Sequence, residues 1–183
     1  MLSITIFAVG KLKESFWKEA CAEYLKRLGA YCKITVKEFP DSNKEREAEL
    51  LLSHLPEHAP ILLLDIKGKE ISSETLATKI DTYALSGSSQ LVFIIGGSDG
   101  VTSEVKQHAT ERISFGPITL PHNLARVVLL EQRAANRITN KKRPRKKLLG
   151  RFKASCSNLA FRTSRCPLPL RNHLRRHKSR RFA

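Results

Sequence analysis

Apolar residues recur with two different spacings along residues 3–132 of the chain. Short runs of apolar and β-branched residues predict five strands, at residues 3–9, 34–39, 61–66, 91–95 and 112–115. Apolar positions at helical spacing predict five helices, at residues 14–28, at 43–55, from Ser72 or Ser73 to about Leu85, a short one opening at Thr102 or Ser103, and from Pro121 to at least Gln132. Strands that alternate with helices favour an α/β fold with a mostly parallel sheet.

The apolar pattern decays after Gln132, and the charge balance changes at the same place. Residues 1–132 contain 15 Lys and Arg against 17 Asp and Glu, whereas residues 133–183 contain 18 Lys and Arg and no acidic residue. A segment with this composition cannot bury enough apolar surface to offset the entropy of ordering it. We therefore predict a folded domain over residues 1–140 and a disordered basic tail over residues 141–183, whose natural partners are nucleic acids or anionic surfaces.

Cysteine usage and hydropathy bear on the cellular compartment. The four cysteines, Cys21, Cys32, Cys156 and Cys166, show neither C-x-x-C spacing nor histidines at zinc-ligand spacing, which favours free thiols and no metal. The amino terminus lacks the basic region of a signal peptide, and no apolar run approaches the length of a membrane span. We expect a cytoplasmic, soluble protein.

Two segments are predicted to meet at one pocket. Gly96-Gly97 follows the apolar run Leu91–Ile95, and Pro121-His122 opens the last helix. Ligands of open α/β sheets lie outside the carboxyl ends of the strands. The glycine turn can equally be a tight connection without a ligand, and it lacks the spacing of a dinucleotide site or a P-loop.

Two residues of the last helix are candidates for chemistry. His122 has a side chain whose ordinary pKa suits a general base, and its alternative is a structural or pocket-positioning role at the start of the helix. Arg126, one turn further along, can hold a phosphate or stabilise charge that develops on a base. Its alternative is an exposed arginine on a helix surface.

Several ordered blocks resemble one known family. These are Ile4–Lys13, Phe16-Trp17, Glu23–Leu28, Leu62–Lys69, Phe93–Gly100 and Leu120–Gln132. At this spacing the chain resembles the ribosomal large-subunit methyltransferase H family of the knotted SPOUT methyltransferases. The resemblance covers residues 1 to about 132. It implies a carboxyl-terminal trefoil knot over roughly residues 61–135 and a homodimer with the site at its interface.

The resemblance also implies a reaction and a donor pocket. The reaction would be methylation of N3 of a pseudouridine in large-subunit (23S) ribosomal RNA, with S-adenosylmethionine as the methyl donor and no metal. The ribosome or its RNA would be the partner. The positions that match the donor pocket of the family are Leu64, Gly96, Gly97, Phe115, Gly116, Pro117, Ile118, Thr119 and Leu120.

The chain departs from the family after the last predicted helix. The family continues into a Tyr-Arg-Ala stretch and ends in Pro-Tyr-His-Lys or a close variant, whereas here no tyrosine follows Tyr83. The basic tail is either a genuine RNA-binding extension or the product of a reading-frame change near residues 132–140. Besides the methyltransferase, two hypotheses remain: a catalytically impaired RNA- or ribosome-binding protein that keeps the donor pocket, and a small-nucleotide-binding domain without an RNA link.

Overall fold

The computed structural model describes the backbone of residues 2–142 and the side chains of residues 2–133. Five strands alternate with five helices within this range. In chain order they are β1 (Ser3–Val9), α1 (Ser15–Gly29), β2 (Lys33–Phe39), α2 (Lys44–His54), β3 (Ile61–Glu70), α3 (Ser73–Leu85), β4 (Gln90–Ile95), α4 (Ser103–His108), β5 (Glu111–Ser114) and α5 (His122–Lys142). The predicted alternation is confirmed, and most boundaries differ by one or two residues.

The strands form one sheet in the order β2-β1-β4-β3-β5, and all four pairings are parallel. The predicted α/β class with a parallel sheet is therefore confirmed. Because the strands are parallel, their carboxyl ends meet at one edge. Leu64 of β3 lies beside Ile95 of β4 there, so the segments that follow these strands start as neighbours.

Alternate residues of each strand pack into one of two apolar clusters. Ile4 and Ile6 of β1 lie in the cluster that also contains buried residues of α1, α3 and α5. Phe7 and Val9 lie in the cluster that contains buried residues of α2 and α4. Helices thus cover both faces of the sheet, which is why its central strands are apolar almost throughout.

Side-chain caps fix the starts of three helices. The Asn43 side chain accepts a hydrogen bond from the Arg46 N–H (2.8 Å), and the Ser72 and Thr102 hydroxyls cap α3 and α4 in the same way. Such a cap satisfies an N–H group that has no partner within the helix. Among the predicted alternatives, the structure selects Ser72 over Ser73 and Thr102 over Ser103.

One strand extends beyond its predicted end, since β3 continues four residues past Ile66. The last helix, predicted to reach at least Gln132, continues to Lys142. The predicted basic tail lies outside the described residues apart from its first two positions, and the trefoil knot stays a prediction. None of the helices within residues 2–142 is long and apolar enough to cross a membrane.

Candidate functional site

A cavity of about 600 Å³ opens at the carboxyl edge of the sheet. Its walls come from the ends of β3, β4 and β5 and from the start of α5. The structure brings eight of the nine predicted donor-pocket residues together there: Leu64, Gly96, Gly97, Phe115, Gly116, Ile118, Thr119 and Leu120. Pro117 is not among the residues that line it. A volume of this size is ordinary for a small-molecule site.

The glycine turn after β4 is closely packed from beneath. A Cβ atom on Gly96 would lie 2.7 Å from Val101 Cγ1 and 3.3 Å from the Gly100 carbonyl carbon. The turn is closed by a hydrogen bond from the Gly100 N–H to the Gly97 carbonyl (3.1 Å), and Gly100 has a φ of 74°. Because Gly96 and Gly97 have no side chains, the turn can pack closely against Val101. Its backbone N–H and C=O groups then lie beside the cavity.

The segment after β5 supplies the opposite wall. Gly116 has a φ of 120°, a conformation that favours glycine, and the Ser114 hydroxyl both donates to the Gly116 carbonyl and accepts from its N–H. Ile118 is 74% exposed although it lines the cavity. The wall therefore presents backbone groups next to apolar surface, an arrangement that suits a flat heteroaromatic ring with polar edges.

His122 begins α5 and lines the cavity. Its ring packs against the end of β1, since a Cβ atom on Gly10 would lie 2.9 Å from His122 Nε2. Gly10 has a φ of 84°, so glycine is required there both for space and for backbone conformation. The first strand therefore fixes one side of the His122 ring while the ring faces the cavity.

Arg126 lies inside the protein rather than in the cavity lining. It is 1% exposed, donates to Glu38 Oε1, and donates through its other terminal nitrogen to the Gly10 carbonyl (2.8 Å). Its Nε atom has no hydrogen-bond partner among the described residues. The exposed helical arginine offered above as an alternative is therefore wrong. In this structure the guanidinium joins α5 to the ends of β1 and β2.

Glu47 of α2 supports the glycine turn from below. A Cβ atom on Gly97 would lie only 3.0 Å from Glu47 Oε2, so the carboxylate packs directly against the turn. The same carboxylate accepts a hydrogen bond from the Ser42 N–H (3.0 Å). Burial raises the pKa of this carboxyl, the Ser42 N–H opposes the rise, and Asp41 and Asp99 add to it. The sequence does not single out Glu47, because acidic residues are common in the first turn of a helix.

Charged residues complete the lining and were also missed. They are Lys44, Asp65, Asp99 and Lys106. Within the described residues, no group of three or more His, Cys, Asp or Glu is placed to hold a metal ion. The cavity thus combines an apolar centre, two glycine-containing turns and a mixed-charge margin.

Comparison with known proteins gives a family and one solved structure of limited similarity. A model of the family described as predicted SPOUT methyltransferase matches residues 2–142. The fold is similar to the structure of a probable methylase family protein from Haemophilus influenzae Rd KW20, with 10% sequence identity and a TM-score of 0.44. The similarity covers 76% of this chain and 66% of that chain, just under two thirds of the relative's length.

Proposed function

Because the chain belongs to the SPOUT methyltransferase family, we propose that it transfers a methyl group from S-adenosylmethionine to N3 of a pseudouridine in large-subunit ribosomal RNA. The observation that carries the proposal is the convergence of three separate segments on one cavity. Leu64, Gly96-Gly97 and residues 115–120 are far apart in the sequence and line the same space.

The residues of the cavity fit this donor. Leu64, Ile95, Phe115 and Leu120 offer apolar surface for an adenine ring, and the two glycine-containing turns offer backbone groups for its polar edge. When bound, S-adenosylmethionine supplies an electrophilic methyl group on a positively charged sulfur. The protein then has mainly to hold the nucleophile in line with that methyl group and to exclude water.

His122 is the residue of the cavity best suited to proton handling. N3 of a pseudouridine carries a proton that must leave when the N–CH₃ bond forms, and an imidazole nitrogen can accept it. Contact with Gly10 limits the orientations of the His122 ring. Arg126, one turn along α5, acts by positioning: its bonds to Glu38 and to the Gly10 carbonyl hold the helix against β1.

The RNA substrate and the dimer form part of the same proposal. Support for the substrate comes from family membership, from the ordered sequence blocks and from the 18 Lys and Arg among residues 133–183. A homodimer would place a second copy beside the cavity and add groups that one copy lacks. We propose that large ribosomal subunits, rather than small molecules, receive the methyl group.

Methyl transfer to purified ribosomes tests the proposal. Labelled S-adenosylmethionine is incubated with large subunits and three proteins: the full chain, the chain ending at Asn140, and that shortened chain with Pro-Tyr-His-Lys added. Mass spectrometry of digested RNA identifies the product as N3-methylpseudouridine. We expect the restored protein to be the most active, because the added residues return groups present in the family. Donor binding without label in RNA from any of the three would contradict the proposed substrate.

The absence of the family's Tyr-His ending favours one alternative, a catalytically impaired protein that binds RNA or ribosomes and keeps the donor pocket. In that case the full chain binds S-adenosylmethionine and cosediments with ribosomes, but transfers no methyl group. Measurable methyl transfer by the full chain, at the rate of the restored chain, would exclude this alternative.

A further inference from the structure

Strand β3 is irregular at the point where it reaches the cavity. Ile113 of β5 pairs first with Leu64 and then again with Lys69, so residues 65–68 are inserted without partners in that ladder. Bulges of this kind redirect a side chain and are common next to active sites. Leu64 lines the cavity and the insertion follows it directly, so the insertion determines where the Asp65 side chain lies.

Three contacts hold the inserted segment in one conformation. A Cβ atom on Gly68 would lie 2.8 Å from the carbonyl carbons of Arg112 and Ile113, so the segment rests directly on the β5 backbone. Arg112 donates to the Lys67 carbonyl (3.3 Å), and the Lys67 N–H donates to Asp65 Oδ1 (3.1 Å). Asp65 is therefore presented by a fixed piece of backbone.

The second carboxylate oxygen of Asp65 has charge partners but no hydrogen bond. The side chain is 14% exposed and lines the cavity. Oδ2 lies 3.6 Å from Arg112 Nε and 3.9 Å from Lys106 Nζ, and it is buried without a hydrogen-bond partner among the described residues. A buried acceptor without a hydrogen bond is costly, so a rotation of the carboxylate that lets a ligand in the cavity supply the missing donor is favoured by that cost.

We propose that the Asp65 carboxylate recognises the ribose of the methyl donor by accepting a hydrogen bond from its 2′- or 3′-hydroxyl. This inference rests on the proposed function, since it assigns a residue to the same donor. A neutral hydroxyl suits this carboxylate better than an ammonium group because Arg112 and Lys106 already balance its charge. The adjacent Leu64 and the glycine turn leave the adenine on the apolar side of the same cavity.

Calorimetric titration with two ligands and three proteins tests this assignment. The ligands are S-adenosylhomocysteine and its 2′,3′-dideoxy analogue, and the proteins are the wild type, Asp65→Asn and Glu70→Gln. Glu70 lies on the same strand, is exposed and does not line the cavity, so Glu70→Gln is the matched control for loss of one carboxylate charge. Thermal unfolding of each protein is measured alongside.

We expect the wild type and Glu70→Gln to bind the dihydroxy ligand about 10-fold to 100-fold more tightly than the dideoxy ligand, the range for a hydrogen bond to a charged group. Asp65→Asn should lose most of that preference. Equal affinity of the wild type for both ligands overturns the assignment even if Asp65→Asn does not fold, and so does an unchanged preference in Asp65→Asn. Failure of the wild type to bind S-adenosylmethionine or either ligand would instead overturn the proposed function.

Discussion

Substitution of Gly96 by alanine should distort the wall of the cavity at the carboxyl edge of the sheet. The new Cβ would lie 2.7 Å from Val101 Cγ1 and 3.3 Å from the Gly100 carbonyl carbon. Carbon atoms in good contact are ~3.5–4.0 Å apart, so the turn and Val101 must separate by roughly 1 Å. Val101 is buried, so it has little room to give way, and the turn beside the cavity has to move.

The size of the effect follows from the cost of overpacking. An extra methyl group in a well-packed region costs about 1–3 kcal/mol, which for a domain of this size lowers the melting temperature by roughly 3–10 °C. If the proposed donor binds there, displacement of the backbone groups beside the cavity should weaken S-adenosylmethionine binding about tenfold or more, equivalent to about 1.4 kcal/mol. Val101→Ala removes the closer of the two contacts, so the double variant should lose less stability than the two single changes together.

Thermal unfolding and calorimetric titration of Gly96→Ala, Val101→Ala and the double variant measure these quantities. Gly29→Ala is the control, because it makes the same substitution at the end of α1, where the added Cβ atom would have nothing within 4 Å. Wild-type stability and wild-type affinity in Gly96→Ala would refute the argument that close packing shapes the turn. If the stability losses of Gly96→Ala and Val101→Ala simply add in the double variant, the added methyl group does not clash with Val101.

Three further outcomes are expected. Hydrogen bonds from Lys79 and Tyr83 lower the pKa of Glu111 from 4.5, so this cluster stabilises the fold above that pH and the stabilisation is lost as the pH falls through the folded-state pKa. On acidification the melting temperature of the wild type should therefore fall more steeply than that of Glu111→Gln, and parallel profiles would contradict this prediction. Deletion of residues 141–183 should reduce the salt dependence of RNA affinity, because ~6–10 phosphate contacts weaken binding on the order of 10³–10⁵-fold between 50 and 200 mM salt. If the affinity of the shortened chain depends on salt as strongly as that of the full chain, the RNA contacts lie outside residues 141–183. Light scattering on a chain that ends at Asn140 should give a dimer, and a monomer at micromolar concentration would count against the proposed interface.

Local sequence pattern was sufficient for the elements and for part of the site. Helices cover both faces of the sheet, so residues 4–9 of β1 are buried without a break, and so are residues 61–63 at the start of β3. The helix predicted to start at residue 43 does begin there, because the short polar side chain of Asn43 reaches an N–H group of the first turn. The glycine turn and the segment from Phe115 to Leu120 were placed by resemblance, and the parallel sheet brings them together.

The remaining features depend on contacts between distant residues, which local pattern does not encode. The Arg126 guanidinium is buried because Glu38 and the Gly10 carbonyl, 88 and 116 residues away, are placed to receive it. The bulge at residues 65–68 exists because Gly68 fits against the β5 backbone, so the register of β3 changes where a continuous apolar run had predicted only a strand end. Glu47 escaped notice for the same reason, since its partner is a turn fifty residues further along.

Among the residues whose side chains the structure describes, the contacts that shape the cavity involve positions before the point where the sequence departs from its family. Gly10 and Glu38 hold Arg126, Gly10 limits the His122 ring, and Glu47 supports Gly97. None of these contacts needs a residue beyond 132, whereas the family's Tyr-His ending would follow α5. A change confined to residues after 132 should therefore leave donor affinity intact and act on turnover alone. Comparison of the full and restored chains should accordingly show equal dissociation constants for S-adenosylmethionine and unequal rates of methyl transfer, and a restored chain that binds the donor more tightly would show that the ending also shapes the cavity.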